Sequence, residues 1–294
     1  MYDIAKYEEA GSIEEAIAFL QANPKAMIIS GGSDVLIKLH EGRMHDAELV
    51  SIHNIQELKG VSMRDNGTIA IGSGTCFSQI TKHPLVQKYI SVLGEAVDMV
   101  GGPQIRNIGT IGGNVCNGVT SADSASTLFA FNAQLEIQGP DGVRTIAIGD
   151  FYKGPGKVDL QHDEILKTIL ITSENYQGYS GHYIKYAMRN AMDIATLGCV
   201  VLCKLKDSQT IENLRVALGV AAPIPIRCTA TEELATDRIF TEQLLEEIGK
   251  SAVREVNPRT SWRASKEFRT QLVEELSKRA FTQAFINAGG EQSC

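Results

Sequence analysis

No apolar run in this 294-residue chain is long enough to cross a bilayer, and Met1-Tyr2-Asp3-Ile4 opens it without a basic segment ahead of an apolar one. A spanning helix needs about 20 apolar residues. No membrane association is expected, and a soluble, cytoplasmic chain is the expectation. A basic excess is missing too: 28 Lys and Arg face 35 Asp and Glu, for a net charge of −7. Nucleic-acid binding depends on neutralising phosphates, so nucleic acid is not an expected partner. The six cysteines, Cys76, Cys116, Cys199, Cys203, Cys228 and Cys294, are scattered, with no Cys-x-x-Cys. Iron–sulfur and zinc sites draw on clustered ligands, so no metal is expected in this chain. Free thiols in a reducing compartment fit this usage.

What is present is globular in kind. Hydrophobic residues make up 43% and charged residues 21%, enough for a sizeable core, and the length suits two domains. Two glycine-bearing loops stand out. Ser30-Gly31-Gly32-Ser33-Asp34 follows the apolar run Ala26-Met27-Ile28-Ile29, and Thr110-Ile111-Gly112-Gly113-Asn114 follows Gly101-Gly102-Pro103-Gln104-Ile105-Arg106-Asn107. Adjacent glycines after a strand let backbone approach a ligand and aim successive N–H groups at it. Two such loops could hold a pyrophosphate from both sides, which makes a dinucleotide the first ligand to consider. A plain turn is the other reading of a Gly-Gly pair. Gly-x-Gly-x-x-Gly is absent from both loops, and no Gly-x-x-x-x-Gly-Lys-Ser/Thr occurs, so a Rossmann fold and a P-loop are poorly supported.

The pattern predicts three units. Ser12 and Glu15 form a capping box ahead of a helix whose apolar face is Ile13, Ala16, Ile17 and Leu20. Asn23-Pro24 ends it, and strands at 26–29 and 49–52 complete a small first lobe, about 1–57. A second lobe, about 58–177, has a strand at 68–72, a helix opened by Pro84 that carries Leu85, Val86, Tyr89 and Leu93, a hairpin over 135–148 turning at Pro140-Asp141-Gly142, and a strand at 165–171. The polar stretch Ser173 to Gly181 is read as the domain boundary. The remainder, 178–294, reads as strands at 183–188, 197–205 and 214–220, then helices at 241–253 and 265–285. Cys199 and Cys203 point to one face of their strand. Phe268, Leu272, Leu276 and Ala280 form a core stripe.

The order of these motifs resembles a known family. Gly102-Pro103-Gln104-Ile105-Arg106-Asn107, Thr110 to Asn114, Ser121-Ala122-Asp123 and Ser30 to Leu36 are similar to the flavin-binding subunit of molybdenum hydroxylases. So are Lys185-Tyr186-Ala187-Met188-Arg189-Asn190-Ala191-Met192-Asp193-Ile194, the run Gly219 to Arg227, and Ser261-Trp262-Arg263-Ala264-Ser265-Lys266-Glu267-Phe268-Arg269. The likeness covers nearly the whole chain, and the branch it resembles most is that of bacterial three-subunit xanthine dehydrogenases. It implies an α+β fold: a two-lobed FAD-binding domain of the vanillyl-alcohol-oxidase type, followed by a C-terminal α/β flavoprotein domain. It implies FAD as cofactor and NAD as co-substrate. It also implies an iron–sulfur small subunit with 2Fe-2S clusters and a large subunit with the molybdenum cofactor, assembled as a dimer of heterotrimers.

By the same resemblance, the backbone amides of Ile29, Ser30, Gly31, Gly32, Ser33, Asp34 and Val35 cradle the FAD pyrophosphate, and Thr110 and Asn114 help hold the phosphates or the ribityl chain. Met27, Ile28, Ile111, Gly112 and Gly113 complete the expected cofactor-binding set. Asp123 accepts from cofactor hydroxyls, with a helix N-cap as its other reading. For Asn114 the other reading is a left-handed turn residue. Lys185 lies near the flavin, where a cation favours the reduced form; an exposed strand lysine is its alternative. Leu166 gives an apolar or backbone contact. Val100 stands where a relative carries an aromatic residue near the flavin, which leaves aromatic stacking open. None of the six histidines, His40, His45, His53, His83, His162 and His182, falls in either loop, so the flavin is expected to be non-covalent. No catalytic residue is nominated, because the hydride comes from the flavin. A self-contained flavin oxidase, a subunit of a related hydroxylase acting on another heterocycle, an aldehyde or carbon monoxide, and a scaffold that has lost flavin are the competing readings.

Overall fold

A computed structural model of the protein describes residues 2–291. Among the described residues three main sheets follow one another along the chain, besides a two-stranded ribbon, Tyr152–Gly154 with Lys157–Val158. The first is parallel, with strands in the order Ile4–Glu9, Ala47–Ser51, Met27–Ile29. The helix Ile13–Ala22 covers it with the expected face: Ile13, Ala16, Ile17 and Leu20 are all buried. Burial of each large side chain is worth about 1.5–3 kcal/mol. Ser12 Oγ accepts from the Glu15 amide at 3.2 Å, but Glu15 reaches back to the Gly11 amide (2.7 Å) rather than to Ser12, so the reciprocal box is displaced by one residue.

The second sheet is antiparallel and five-stranded, in the order Val61–Met63, Ile69–Gly72, Ile165–Ile171, Gln134–Gly139, Gly142–Ala147. Its hairpin turns where Pro140-Asp141-Gly142 predicts. The helix expected from Pro84 is two helices, Pro84–Tyr89 and Ser91–Asp98, because Ile90 leaves helical geometry at φ −138°, ψ 42°. Buried Val86, Leu93, Ala96 and Val97 still serve one core.

The third sheet is antiparallel, Ser180–Tyr186, Leu197–Leu205, Ile211–Gly219, Ile226–Arg227. Both of its faces are covered. Val200, Leu202 and Ala217 join the second lobe's core, against the helices Ser91–Asp98 and Asp123–Ala130. Cys199, Val201 and Cys203 face the other way, toward the helices Glu242–Arg254 and Lys266–Asn287. The two cysteines therefore share a face, as alternation requires. Cys294 lies outside the described residues. Arg215 stitches the units together: its buried guanidinium donates to the carbonyls of Ala130 (3.0 Å) and Asn175 (3.2 Å). The stretch 173–181 holds a short helix, Ser173–Tyr176, with Asn175 and Tyr176 buried.

One side chain departs from its expected place. Phe268 is 39% exposed and sits outside the core that holds Leu272, Leu276 and Ala280. It lies in the first turn of its helix and meets Tyr186 edge to face, with ring centroids 5.8 Å apart.

Candidate functional site

The two glycine loops meet. A cavity of about 470 Å³ opens between the first and second lobes, walled by Ser30 to Val35 on one side and by Thr110, Gly112 to Asn114, Cys116 and Asn117 on the other. Its size falls in the range of about 300–1,000 Å³ usual for ligand sites. Ala26, Ile28, Ile52, Leu160 and Leu166 give it an apolar end, and Val100 and Ile105 line it as well.

Sequence dictates how the loops approach each other. A Cβ on Gly31 would lie 2.0 Å from the Ile108 carbonyl oxygen, so only glycine lets the first loop rest on the backbone at 108–109. A Cβ on Gly112 would lie 2.5 Å from Ser73 Cβ, and the Gly112 amide donates to the Ser73 carbonyl at 2.8 Å. These two glycines serve contact within the protein first. Gly32 is needed for another reason: its φ of +73° is a left-handed conformation that side chains disfavour. Thr110 caps the helix Ile111–Cys116 by accepting from the Gly113 amide (3.3 Å) and donates to Ser30 Oγ (3.1 Å). Asn117 donates to Asp34 across the same junction at 3.4 Å.

The two loops are not equivalent. In the second, the amides of Gly112, Gly113 and Asn114 are engaged by Ser73, Thr110 Oγ1 and the Thr110 carbonyl. In the first, no acceptor among the described residues takes the amides of Gly31, Gly32, Ser33 or Asp34. Ser73, only 4% exposed, also lines the cavity, and its Oγ has no hydrogen-bond partner among the described residues. Unpaired buried polar groups are costly. A run of free amides and a free hydroxyl on one cavity suits an anionic, oxygen-rich ligand, so these residues fit a dinucleotide. Charged side chains on the walls are already paired: Asp34 with Lys38 at 2.5 Å, and Glu164 with Arg144 at 2.6 Å. The Arg144 hydrogen bond holds the Glu164 carboxyl below its ordinary range. His162 turns Nε2 to the carbonyls of Leu20 (3.0 Å) and Asn23 (3.2 Å), at the end of the first helix.

Of the residues singled out by sequence, Met27, Ile28, Ser30 to Val35, Val100, Thr110, Gly112, Gly113, Asn114 and Leu166 line the cavity. Ile29 and Ile111 are core residues behind it. Asn114 is helical rather than left-handed, and its side-chain oxygen accepts from Ser124 Oγ at 2.6 Å. Asp123 is not an N-cap: Ala122 holds that position, and the Asp123 carboxylate is committed elsewhere. Lys185 Nζ donates to Asp123 Oδ2 at 2.8 Å and to the Met99 carbonyl at 2.9 Å, while Tyr183 donates to Asp123 Oδ1 at 2.8 Å. Asp123 and Lys185 therefore form a buried pair beside the cavity rather than on its walls, and Lys185 is no exposed lysine. Burial outweighs the two donors and raises the Asp123 pKa; burial likewise pushes the Tyr183 hydroxyl well above its ordinary range. Sequence reading missed Ser73, Phe77 and Cys116. For Ser73 the signal was the run Gly72-Ser73-Gly74-Thr75, a third small-residue turn after a strand.

A two-lobed cavity of this build, followed by the antiparallel C-terminal unit, defines a flavoprotein class, and the comparisons name it. The chain belongs to the family described as FAD binding domain in molybdopterin dehydrogenase, matched over residues 3–172, with a CO dehydrogenase flavoprotein C-terminal domain over 182–284. Within that class it is 44% identical over 291 residues to the xanthine dehydrogenase FAD-binding subunit of Escherichia coli O157:H7, covering 99% of each chain. It is 28% identical over 281 residues to the carbon monoxide dehydrogenase medium chain of Hydrogenophaga pseudoflava, covering 95% of this chain and 96% of that one. A solved carbon monoxide dehydrogenase from Hydrogenophaga pseudoflava superposes with a TM-score of 0.92 at 27% identity, over 98% of this chain and 99% of that one. The fold is thus that of a FAD-binding domain joined to a flavoprotein C-terminal domain, and the chain is a FAD subunit of the molybdenum hydroxylase family of oxidoreductases.

Proposed function

We propose that this chain is the electron-transfer subunit of a cytoplasmic xanthine dehydrogenase. It takes electrons from the 2Fe-2S clusters of a small partner subunit and reduces NAD, while a large partner subunit hydroxylates the purine at its molybdenum cofactor. Two copies of each chain form the assembly. The observation that carries the reading is the cavity itself, lined both by Gly31 to Asp34 with their free amides and by Ser73 with its unpaired hydroxyl, in a chain 44% identical over 291 residues to a xanthine dehydrogenase FAD-binding subunit.

Bound FAD supplies the exchange between single electrons and hydride. The chain's own residues hold it, non-covalently. Amides of the first loop bind the pyrophosphate and Ser73 adds a hydroxyl donor. The second loop, its amides spent internally, acts as a rigid wall, with Thr110 and Asn114 oriented by Ser30 and Ser124. Ile28, Ile52 and Leu166 exclude water from the apolar end. Lys185 and Asp123, fixed beside Met99 and Val100, set the local field.

The test is reconstitution. The purified chain should show a flavin spectrum and release FAD on acid denaturation, yet leave xanthine unchanged. Adding separately purified iron–sulfur and molybdenum subunits should restore xanthine-dependent NAD reduction. Xanthine turnover by the chain alone would overturn the reading.

A further inference from the structure

Between positions 254 and 269 this acidic chain carries Arg254, Arg259, Arg263, Lys266 and Arg269 against only Glu255 and Glu267. Neither acid serves the arginines. Glu255 accepts from the Ala230 amide (3.0 Å) and from Thr231 (2.6 Å to its hydroxyl), and Glu267 forms no ion pair among the described residues. Among the described residues no carboxylate pairs with Arg259, Arg263 or Arg269. Yet Arg269 is only 2% exposed, and a guanidinium stays charged at neutral pH. It also stands in the first turn of the helix Lys266–Asn287, where the helix dipole is positive.

Hydrogen bonds knit this region together without neutralising it. Arg269 donates to the Thr196 carbonyl and to Ser261 Oγ, both at 2.8 Å, and the Arg263 amide donates to the same Ser261 oxygen at 3.3 Å. Among the described residues, three buried groups here have no hydrogen-bond partner: Nε of Arg263, Nε of Arg269 and Oγ1 of Thr196. Burial first, then repulsion from Arg259 and Arg263, pulls the Arg269 guanidinium below its ordinary range. A buried charge without a counter-charge is strongly unfavourable, and one kind of ligand answers both the missing charge and the missing acceptors.

We propose that Arg259, Arg263 and Arg269, with Ser261 and Thr196, form a binding site for a phosphate-type oxyanion. Phosphate suits the donors better than a carboxylate, since it brings more charge and more acceptor oxygens to guanidinium and hydroxyl groups together. The site's position gives it a consequence. The Thr196 amide donates to the Tyr186 carbonyl at 2.8 Å and so closes the loop 187–195. That loop sets Met192 against Gly102, next to the cavity residue Val100. An anion held at Thr196 steadies the loop from its base. The proposal stands independently of what fills the cavity.

The experiment is calorimetric titration of inorganic phosphate into the full-length chain at low ionic strength, in a buffer free of other oxyanions. Saturable binding of one phosphate per chain is expected. Arg263→Gln and Arg259→Gln, which leave buried Arg269 in place, should each weaken it about tenfold or more, with unchanged circular dichroism and flavin content. Competition by NAD would identify a nucleotide phosphate as the source, and phosphate binding undisturbed by NAD would identify the free ion. Absence of saturable binding, equal affinity in both variants, or acetate binding as tightly as phosphate would overturn the proposal.

Discussion

Thr110 Oγ1 lies 3.1 Å from Ser30 Oγ, a hydrogen bond between residues eighty positions apart that ties the two glycine loops to each other. The same Thr110 oxygen accepts from the Gly113 amide. Thr110→Val removes both bonds at little change in shape. We expect a stability loss of about 1–2 kcal/mol in urea denaturation, typical of a lost cap and one further bond, and faster flavin release. Unchanged release would mean that the loops hold their spacing without this bond.

Gly31 and Gly32 should fail differently. Gly31→Ala places a methyl group 2.0 Å from the Ile108 carbonyl oxygen, so the loops must separate, and both flavin occupancy and thermal stability should fall. Gly32→Val forces a β-branched residue to φ +73°, at a strain of about 1–3 kcal/mol, and should abolish flavin occupancy in a chain that still folds. Gly113→Ala, facing only Thr110 Oγ1 at 3.0 Å, should be the mildest of the three. Flavin-to-protein ratios after purification rank them, and normal occupancy in Gly32→Val would remove the first loop from the cofactor site.

The Asp123–Lys185 pair gives opposite predictions for its two members. Lys185→Met should keep flavin and lower its midpoint potential, whereas Asp123→Asn frees the Lys185 charge and should raise it. Spectroelectrochemical titration of both variants decides; no shift in either would place the pair outside the flavin's field. Lys185→Met also leaves a buried carboxylate without its cation, a loss of about 3–5 kcal/mol that Asp123→Asn in the same chain should largely restore.

Two carboxyls should bend the pH profile of stability in opposite senses. Burial raises the Asp123 pKa, so the folded state takes up its proton first. The stabilisation is full below the unfolded pKa and is lost as pH rises through the folded value. Arg144 lowers the Glu164 pKa, so its stabilisation is present above the unfolded pKa and is lost as pH falls through the folded value. Asp123→Asn should flatten the profile above the usual carboxylate range, and Glu164→Gln should flatten it below. Melting temperatures across pH 3–8 (roughly one unit either side of the ordinary carboxylate range and beyond) would refute this if both variants ran parallel to wild type.

Cys199 and Cys203 are fully buried, and burial pushes both thiols up to about 12. Iodoacetamide at pH 8 should leave them unmodified in the native protein and alkylate them after unfolding. Peptide mass spectrometry reads the outcome, and native labelling of either would show the C-terminal sheet opening.

Local chemistry made much of this fold legible. The helix at 13–22 declared itself by Ser12 and a four-residue apolar face, and the strand at 165–171 by a short apolar run. Both depend on neighbours in sequence. The break at Ile90 has no glycine or proline to announce it, and the Phe268 stripe ran past the point where the helix leaves the core, which periodicity does not register. At the site, the glycines marked two loops that line one cavity, but for an incomplete reason, since Gly31 and Gly112 accommodate protein backbone. Ser73's unpaired hydroxyl and the coupling of Asp123 to Lys185 arise only when distant segments meet, so no spacing in the chain encodes them.

Both faces of the sheet 180–227 are covered. Tyr183, Val200, Leu202 and Ala217 cover the helices of the second lobe, and Arg215 supplies hydrogen to carbonyls of that lobe. The two sequence families, matched over 3–172 and 182–284, are therefore not interchangeable cassettes. A chimera that joined this flavin domain to a relative's C-terminal half would need to import the matching sheet face as well, and a chain shortened at 177 would bare an apolar wall and lose the lysine that answers Asp123. Modularity in the sequence here conceals interdependence in folding, and the cavity between the lobes inherits it.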